Sequence, residues 1–171
     1  LSAAAFEACF ALVEATSSAA YRASAWGWKP GAKRAEMREP GMWYVLVRRG
    51  ARRGGGAGGG VPGRKKKEEE EEEEEEEHDG EIVAFASFLL TLDHEPEEPV
   101  LYVYEIHVAE GMRSSGLGGH LLRVVQSVVD SFDCIEGIML SVFTSNVAGQ
   151  RFYERHGFVE DATSPRGKRL R

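Results

Sequence analysis

Apolar residues recur along this chain in two periods, and the switches between them mark out its elements. In residues 3–25, Phe6, Phe10, Val13 and Ala20 stand in an Ala-rich background. That pattern predicts a helix, with Thr16-Ser17-Ser18 as a candidate break. Trp26-Gly27-Trp28-Lys29-Pro30 interrupts it as an ordered loop. Residues 32–39 predict a short charged helix stopped by Pro40-Gly41, and Met42–Val47 a strand. After a long polar interval, Glu81–Leu92 reads as an apolar strand. Asp93–Pro99 reads as an acidic turn and Val100–Val108 as the next strand of an antiparallel hairpin. Helical spacing returns with Leu117, Leu121, Val124, Val125, Val128, Val129 and Phe132. Ile138–Phe143 is a short buried strand, Asn146–Arg155 a helix, and Gly157-Phe158-Val159 opens another strand. The order predicts an α/β fold, a mixed and mostly antiparallel sheet flanked by helices.

The polar interval changes how composition is read. The 171 residues carry a formal charge of −7. Residues 51–79 hold six Lys/Arg and eleven Asp/Glu, including ten consecutive glutamates from Glu68 to Glu77. They account for −5, leaving −2 for the rest. That remainder gives no reason to expect nucleic-acid or membrane binding. The Gly-rich and Glu-rich run buries too little apolar surface to offset chain entropy, so it is expected to be a disordered insertion in a strand–strand loop. Loop closure tolerates it because its cost grows only with the logarithm of length. The expected organisation is residues 1–50 as N-terminal helices and first strand, 51–79 as the insertion, 80–165 as the core, and 166–171 as a basic tail. Cys9 and Cys134 fit no zinc or redox spacing, and the expectation is a reduced, intracellular monomer without metal.

The chemistry concentrates between Val100 and Phe132. A strand bearing one carboxylate, Glu105, is followed by a turn, by Arg113-Ser114-Ser115-Gly116-Leu117-Gly118, and by the start of a helix. The first turn of a helix leaves backbone N–H groups unpaired and presents a positive dipole end. Glycines let a phosphate approach those groups. The arrangement points to a phosphate-bearing cofactor beside a candidate base.

With the buried strand that comes next and the Asn146…Phe152-Tyr153…Gly157-Phe158 segment, residues 81–160 resemble the GNAT acyltransferase family. Tyr21–Lys29, Lys33–Met37, Leu101–Glu105 and Met139–Asn146 are similar to its N-terminal acetyltransferases of the D type. Those enzymes acetylate the α-amine of core histones beginning Ser-Gly-Arg-Gly, in nucleus and cytoplasm. The resemblance implies acetyl-CoA as cofactor, held by Arg113, Ser114, Ser115, Gly116, Leu117, Gly118 and Gly119, by backbone at Ile106, His107 and Val108, and by Asn146. It implies Glu105 as general base, Asp93 as a second carboxylate that shares the base role or pairs with a substrate arginine, and Tyr153 as donor to the leaving thiolate. Tyr21, Trp26, Tyr102, Tyr104, Ser141 and Thr163 are then the substrate contacts, and histone N-terminal tails the partners. Strand alternation sets Tyr102 and Tyr104 on one face and Glu105 on the other, so all three serve one site only if the strand is bulged. The resembling enzymes continue into a final strand that helps close the substrate site, so the resemblance leaves stability and full peptide affinity open for the sequence as it stands. Two other readings stay open: a GNAT enzyme with another amine acceptor (other protein N-termini, lysine or a small amine), and a non-catalytic histone-binding module using Glu68–Glu77.

Overall fold

A computed structural model of the chain describes residues 1–50, 80–94, 97–161 and 164. The insertion at 51–79, Thr163 and the basic tail at 166–171 lie outside the described residues. Helix α1 (Ala3–Ala23) is capped by Ser2, whose hydroxyl accepts from the Ala5 amide. It runs unbroken through Thr16-Ser17-Ser18. Thr16 keeps its place in the helix by donating its hydroxyl back to Leu12 O at 2.7 Å. Helix α2 (Pro30–Glu36) begins on a proline at its first position, where a missing N–H costs nothing.

Four strands follow: β1 (Trp43–Arg48), β2 (Ile82–His94), β3 (Glu97–Val108) and β4 (Gly137–Leu140). They form one sheet in the order β1-β2-β3-β4, antiparallel except for the parallel β3–β4 pair. Between β3 and β4 lie a 3-10 turn (Glu110–Met112) and α3 (Leu117–Val129); α4 (Val147–Arg155) comes after β4.

The two faces of the sheet are covered by different helices. Phe6, Cys9, Phe10 and Val13 of α1, with Met37 just after α2, pack on Ile82 and Phe85. On the other face Leu121, Val125 and Val129 of α3 pack on Ala84, Ala86, Phe88, Leu101 and Val103. Burial of these apolar side chains fixes each strand's facing, because a one-residue slip would turn the whole set outward.

Three local expectations change. The acidic turn is strand almost to its tip: Asp93 pairs with Glu98 and His94 with Glu97. Phe132 falls beyond the end of α3 and is exposed. Among the described residues, Phe158 and Val159 belong to no strand.

Two irregularities of β3 set the geometry around Glu105. Ser87 pairs with Glu105 but Phe88 pairs with Val103, so Tyr104 is an extra residue, a β-bulge. The β3–β4 ladder covers only Val100–Val103 against Gly137–Leu140. Beyond Val103, β3 continues from Tyr104 to Val108 without β4 beside it.

Candidate active site

The bulge resets the alternation of β3. Glu105 and His107 are buried on the face covered by α1 and α2, while Ile106 and Val108 turn to the α3 side. Tyr102 and Tyr104 meet edge to face at 5.0 Å. Tyr104 feels the charges of Glu36, Glu39 and Lys33 from the α2 segment. Both tyrosines thus lie on the side of the sheet that carries Glu105.

Glu105 is 6% exposed and bonded through both oxygens. Oε1 accepts from Lys33 Nζ at 2.8 Å, and Oε2 meets His107 Nε2. Burial alone would push its carboxyl up, but the His107 hydrogen bond and charge, together with Lys33, hold it below the usual carboxylate range. Lys33 is also 6% exposed, and its Nζ donates to Glu36 Oε1 at 2.5 Å. Burial works against its charge, and Glu105 more than offsets that, so it stays an ammonium. The Tyr21 ring lies 5.0 Å from the same Nζ. Ser87, directly across from Glu105, has a buried hydroxyl with no protein partner among the described residues.

Around this core stands an aromatic wall. Tyr21 meets Phe143 edge-on at 4.8 Å, and the Tyr102 hydroxyl is hydrogen-bonded to Ser141 Oγ at 2.5 Å. Tyr153, on α4, has its phenol pushed up to about 12 by burial and then by the charge of Glu105. It is therefore a neutral hydroxyl within electrostatic reach of the carboxylate. The two tryptophans part company: Trp28 packs on Phe10 and Tyr21 and bonds Glu14, whereas Trp26 is 63% exposed.

The loop before α3 has the donor set expected of an anion cradle. Ser114 (φ 62°) and Gly116 (φ 86°) both take left-handed backbone, which folds the loop over the start of α3. No side chain caps α3, and among the described residues the amides of Ser114 to Gly119 donate to no protein acceptor. The residues present therefore fit a diphosphate. Gly118 and Gly119 also serve packing. A Cβ at Gly118 would lie 3.1 Å from the Phe152 ring, and one at Gly119 would lie 2.9 Å from His156 Nε2. Just past the end of β3, the Ala109 amide donates to Val83 O of β2. By alternation the N–H groups of Ile106 and Val108 point the other way, toward the edge that β4 has left. A cleft of about 340 Å³ near the loop is lined by Leu12, Ala15, Thr16, Ala109, Glu110 and Arg113.

Not every expected residue joins this group. Asp93 sits opposite Glu98, seven positions from Glu105 along β3, on the order of 20 Å at ~3.3 Å per residue. Asn146 caps α4, its Oδ1 accepting from the Gly149 amide at 2.9 Å. Three side chains at the centre were not singled out by sequence reasoning: Lys33, the imidazole of His107, and Phe143. Lys33 was detectable, because it precedes Met37 by four positions on an otherwise charged helix and so shares its inward face. Among the described residues no cluster of His, Cys, Asp and Glu could hold a metal, and no helix is long and apolar enough to cross a membrane.

Comparison with known proteins gives the chain a family and a fold. The profile of the acetyltransferase (GNAT) family matches residues 63–158. N-alpha-acetyltransferase 40 of Saccharomyces cerevisiae is 35% identical over 102 residues, which are 51% of this chain and 36% of that protein. The chain thus spans little more than a third of the length of this curated relative. Among solved structures, Arabidopsis thaliana NAA60 in complex with a bisubstrate analogue superposes with a TM-score of 0.64 at 14% identity, over 93% of this chain and 81% of that one. A ribosomal-protein-alanine N-acetyltransferase from Brucella melitensis biovar Abortus 2308 gives 0.61 at 14% identity, over 96% and 93%. At such identities the likeness is one of fold.

Proposed function

The chain belongs to the acetyltransferase (GNAT) family, and we propose that it moves acetyl from acetyl-CoA to the free N-terminal amine of a protein, with core histones beginning Ser-Gly-Arg-Gly as the substrate. The observation that carries this reading is the bulge at Tyr104. It gathers Tyr102, Tyr104, Glu105 and Lys33 where β3 and β4 part.

Bound acetyl-CoA would supply a thioester carbonyl activated toward amines. Arg113 and the amides from Ser114 to Gly119 would hold its diphosphate. The N–H groups of Ile106 and Val108 would donate to the carbonyl oxygen, where negative charge builds as the new bond forms. An α-amine has a reference pKa of about 7.7–8.0, so a fraction is neutral near pH 7. Glu105, held below the usual carboxylate range, is a weak base toward a free ammonium. Its task fits a later moment: the nitrogen turns cationic and strongly acidic as it bonds to carbon, and a standing carboxylate then takes its proton. Because both oxygens are already bonded and buried, Glu105 would act through an ordered water. Tyr153, neutral at working pH, would protonate the departing sulfur.

Tyr21, Tyr102, Tyr104 and Phe143, with Ser141 fixed on Tyr102, would admit small first residues and exclude large ones. Asp93, remote from Glu105, would meet a later substrate residue such as arginine. Trp26, exposed, would contribute at the rim, and Thr163 would be a further substrate contact. Such an enzyme would work in the cytoplasm and nucleus, where histones are made and deposited.

The test is acetylation of a Ser-Gly-Arg-Gly peptide, read by mass spectrometry, beside the same peptide with its α-amine blocked and beside peptides with other N-termini. Transfer to the free α-amine alone is expected. Acetylation that survives the block would overturn the α-amine assignment. Equal turnover of unrelated N-termini would remove the histone preference and leave the α-amine chemistry standing.

A further inference from the structure

The second oxygen of Glu105 is held by a side chain that the acetyl transfer itself leaves unused. His107 lies two residues further along β3, buried on the same face and stacked on Phe85 at 5.5 Å. Its Nε2 meets Glu105 Oε2, and its Nδ1 lies 2.5 Å from Thr16 Oγ1 on α1. The Thr16 hydroxyl donates to Leu12 O. With that hydrogen committed, Thr16 Oγ1 accepts and Nδ1 carries a hydrogen. One proton then lies between Nε2 and Oε2, because two bare acceptors would repel at that contact. A helix backbone carbonyl, a threonine and an imidazole thus form one hydrogen-bonded chain ending on the carboxylate.

We propose that His107, anchored by Thr16, is a positioning residue that orients Glu105 and keeps it anionic for the reaction. The inference rests on the amine-acetylation reading. Lys33 grips Oε1 from α2, and His107 grips Oε2 from β3, so the carboxylate is clamped at both ends. The other titratable groups facing this pair are Glu36 from α2, Tyr21 from α1, Tyr44 from β1 and Tyr153 from α4. The three phenols are all pushed above their usual value, so they stay neutral from pH 6 to 9. Removing the imidazole takes away a donor and leaves burial less opposed, so Glu105 gains a proton at higher pH.

The experiment measures kcat/KM for a free-amine peptide from pH 6 to 9 in wild type, His107→Ala, His107→Gln and Thr16→Val. Each variant is expressed as its ratio to wild type, in which the peptide's own ionisation cancels. For His107→Ala the ratio should fall as pH drops, on the order of tenfold per unit once below the raised pKa of Glu105. His107→Gln, which can still donate to Oε2, should give a nearly flat ratio. Thr16→Val leaves the imidazole in place without its anchor and should fall in the same direction as His107→Ala. It carries the test alone if His107→Ala does not fold. A pH-independent ratio for both His107→Ala and Thr16→Val overturns the inference. So does His107→Gln performing no better than His107→Ala, which would make the imidazole itself the proton carrier. A wild-type protein that acetylates no free α-amine overturns the function and the inference together; an active wild type with flat ratios overturns the inference alone.

Discussion

Replacing Lys33 with methionine tests the electrostatics of the site, removing the ammonium from Glu105 and from the Tyr21 ring while leaving Tyr102, Tyr104 and Phe143 in place. Lys33 and Glu105 are each 6% exposed and 2.8 Å apart. Methionine fills much of the same space but leaves Glu105 buried with only His107 opposite. Breaking a buried pair costs about 3–5 kcal/mol. Because His107 remains and Glu105 can take up a proton, the loss should sit near the low end, about 3 kcal/mol. For a chain of this size that lowers Tm by roughly 6–12 °C.

The effect has a direction in pH. In wild type Glu105 is depressed below its ordinary value, so it stabilises the fold above its unfolded pKa and loses that contribution as pH falls through the folded one. In Lys33→Met burial has the upper hand and the folded pKa rises above the unfolded value. Folding is then penalised as pH climbs past about 4.3. The gap between the two proteins should widen from pH 4.5, where only the wild-type stabilisation counts, to pH 7.5, where the variant's penalty is added to it. Thermal unfolding followed by circular dichroism at both pH values measures it. Lys33→Met/Glu105→Gln should recover most of the loss, since it leaves no unpaired buried carboxylate. A gap below about 2 °C at pH 7.5, or one that is the same at both pH values, would refute this account of the pair.

Three further outcomes are expected of the site. Glu105→Gln should lower kcat by ~10²–10⁴, the usual span for a lost general base, with little change in KM for acetyl-CoA; steady-state kinetics measures both. Tyr153→Phe should lower kcat about 10–100-fold. Because the wild-type phenol is pushed up to about 12, the wild-type rate should show no loss from its ionisation up to pH 10. Asp93→Asn should leave kcat unchanged and raise KM for a peptide with arginine at its third position, as the register of β2 and β3 holds Asp93 far from Glu105.

Much of the architecture was legible in the sequence because periodicity reports burial. The 3.6-residue spacing from Leu117 to Val129 and the apolar run from Ile82 reappear as α3 and β2, packed on each other through Leu121, Val125, Ala84 and Ala86. The glycine-bearing loop before a helix was equally visible, because left-handed backbone at Gly116 and uncapped amides are local properties. Sequence alone could also state the condition for the site, that β3 must be bulged if Tyr102, Tyr104 and Glu105 are to act together.

Only the tertiary structure decided whether that condition is met, because a bulge is a mismatch between two strands and has no signature in one. The same holds for the company Glu105 keeps. Thr16, Lys33 and His107 lie on α1, α2 and β3, up to 91 residues apart along the chain. Nothing local distinguishes a buried lysine that neutralises a carboxylate from a lysine on a solvated helix face. Helical spacing could place Lys33 beside Met37, but the charge of Glu105 under that helix exists only once the sheet is paired and the helices lie across it.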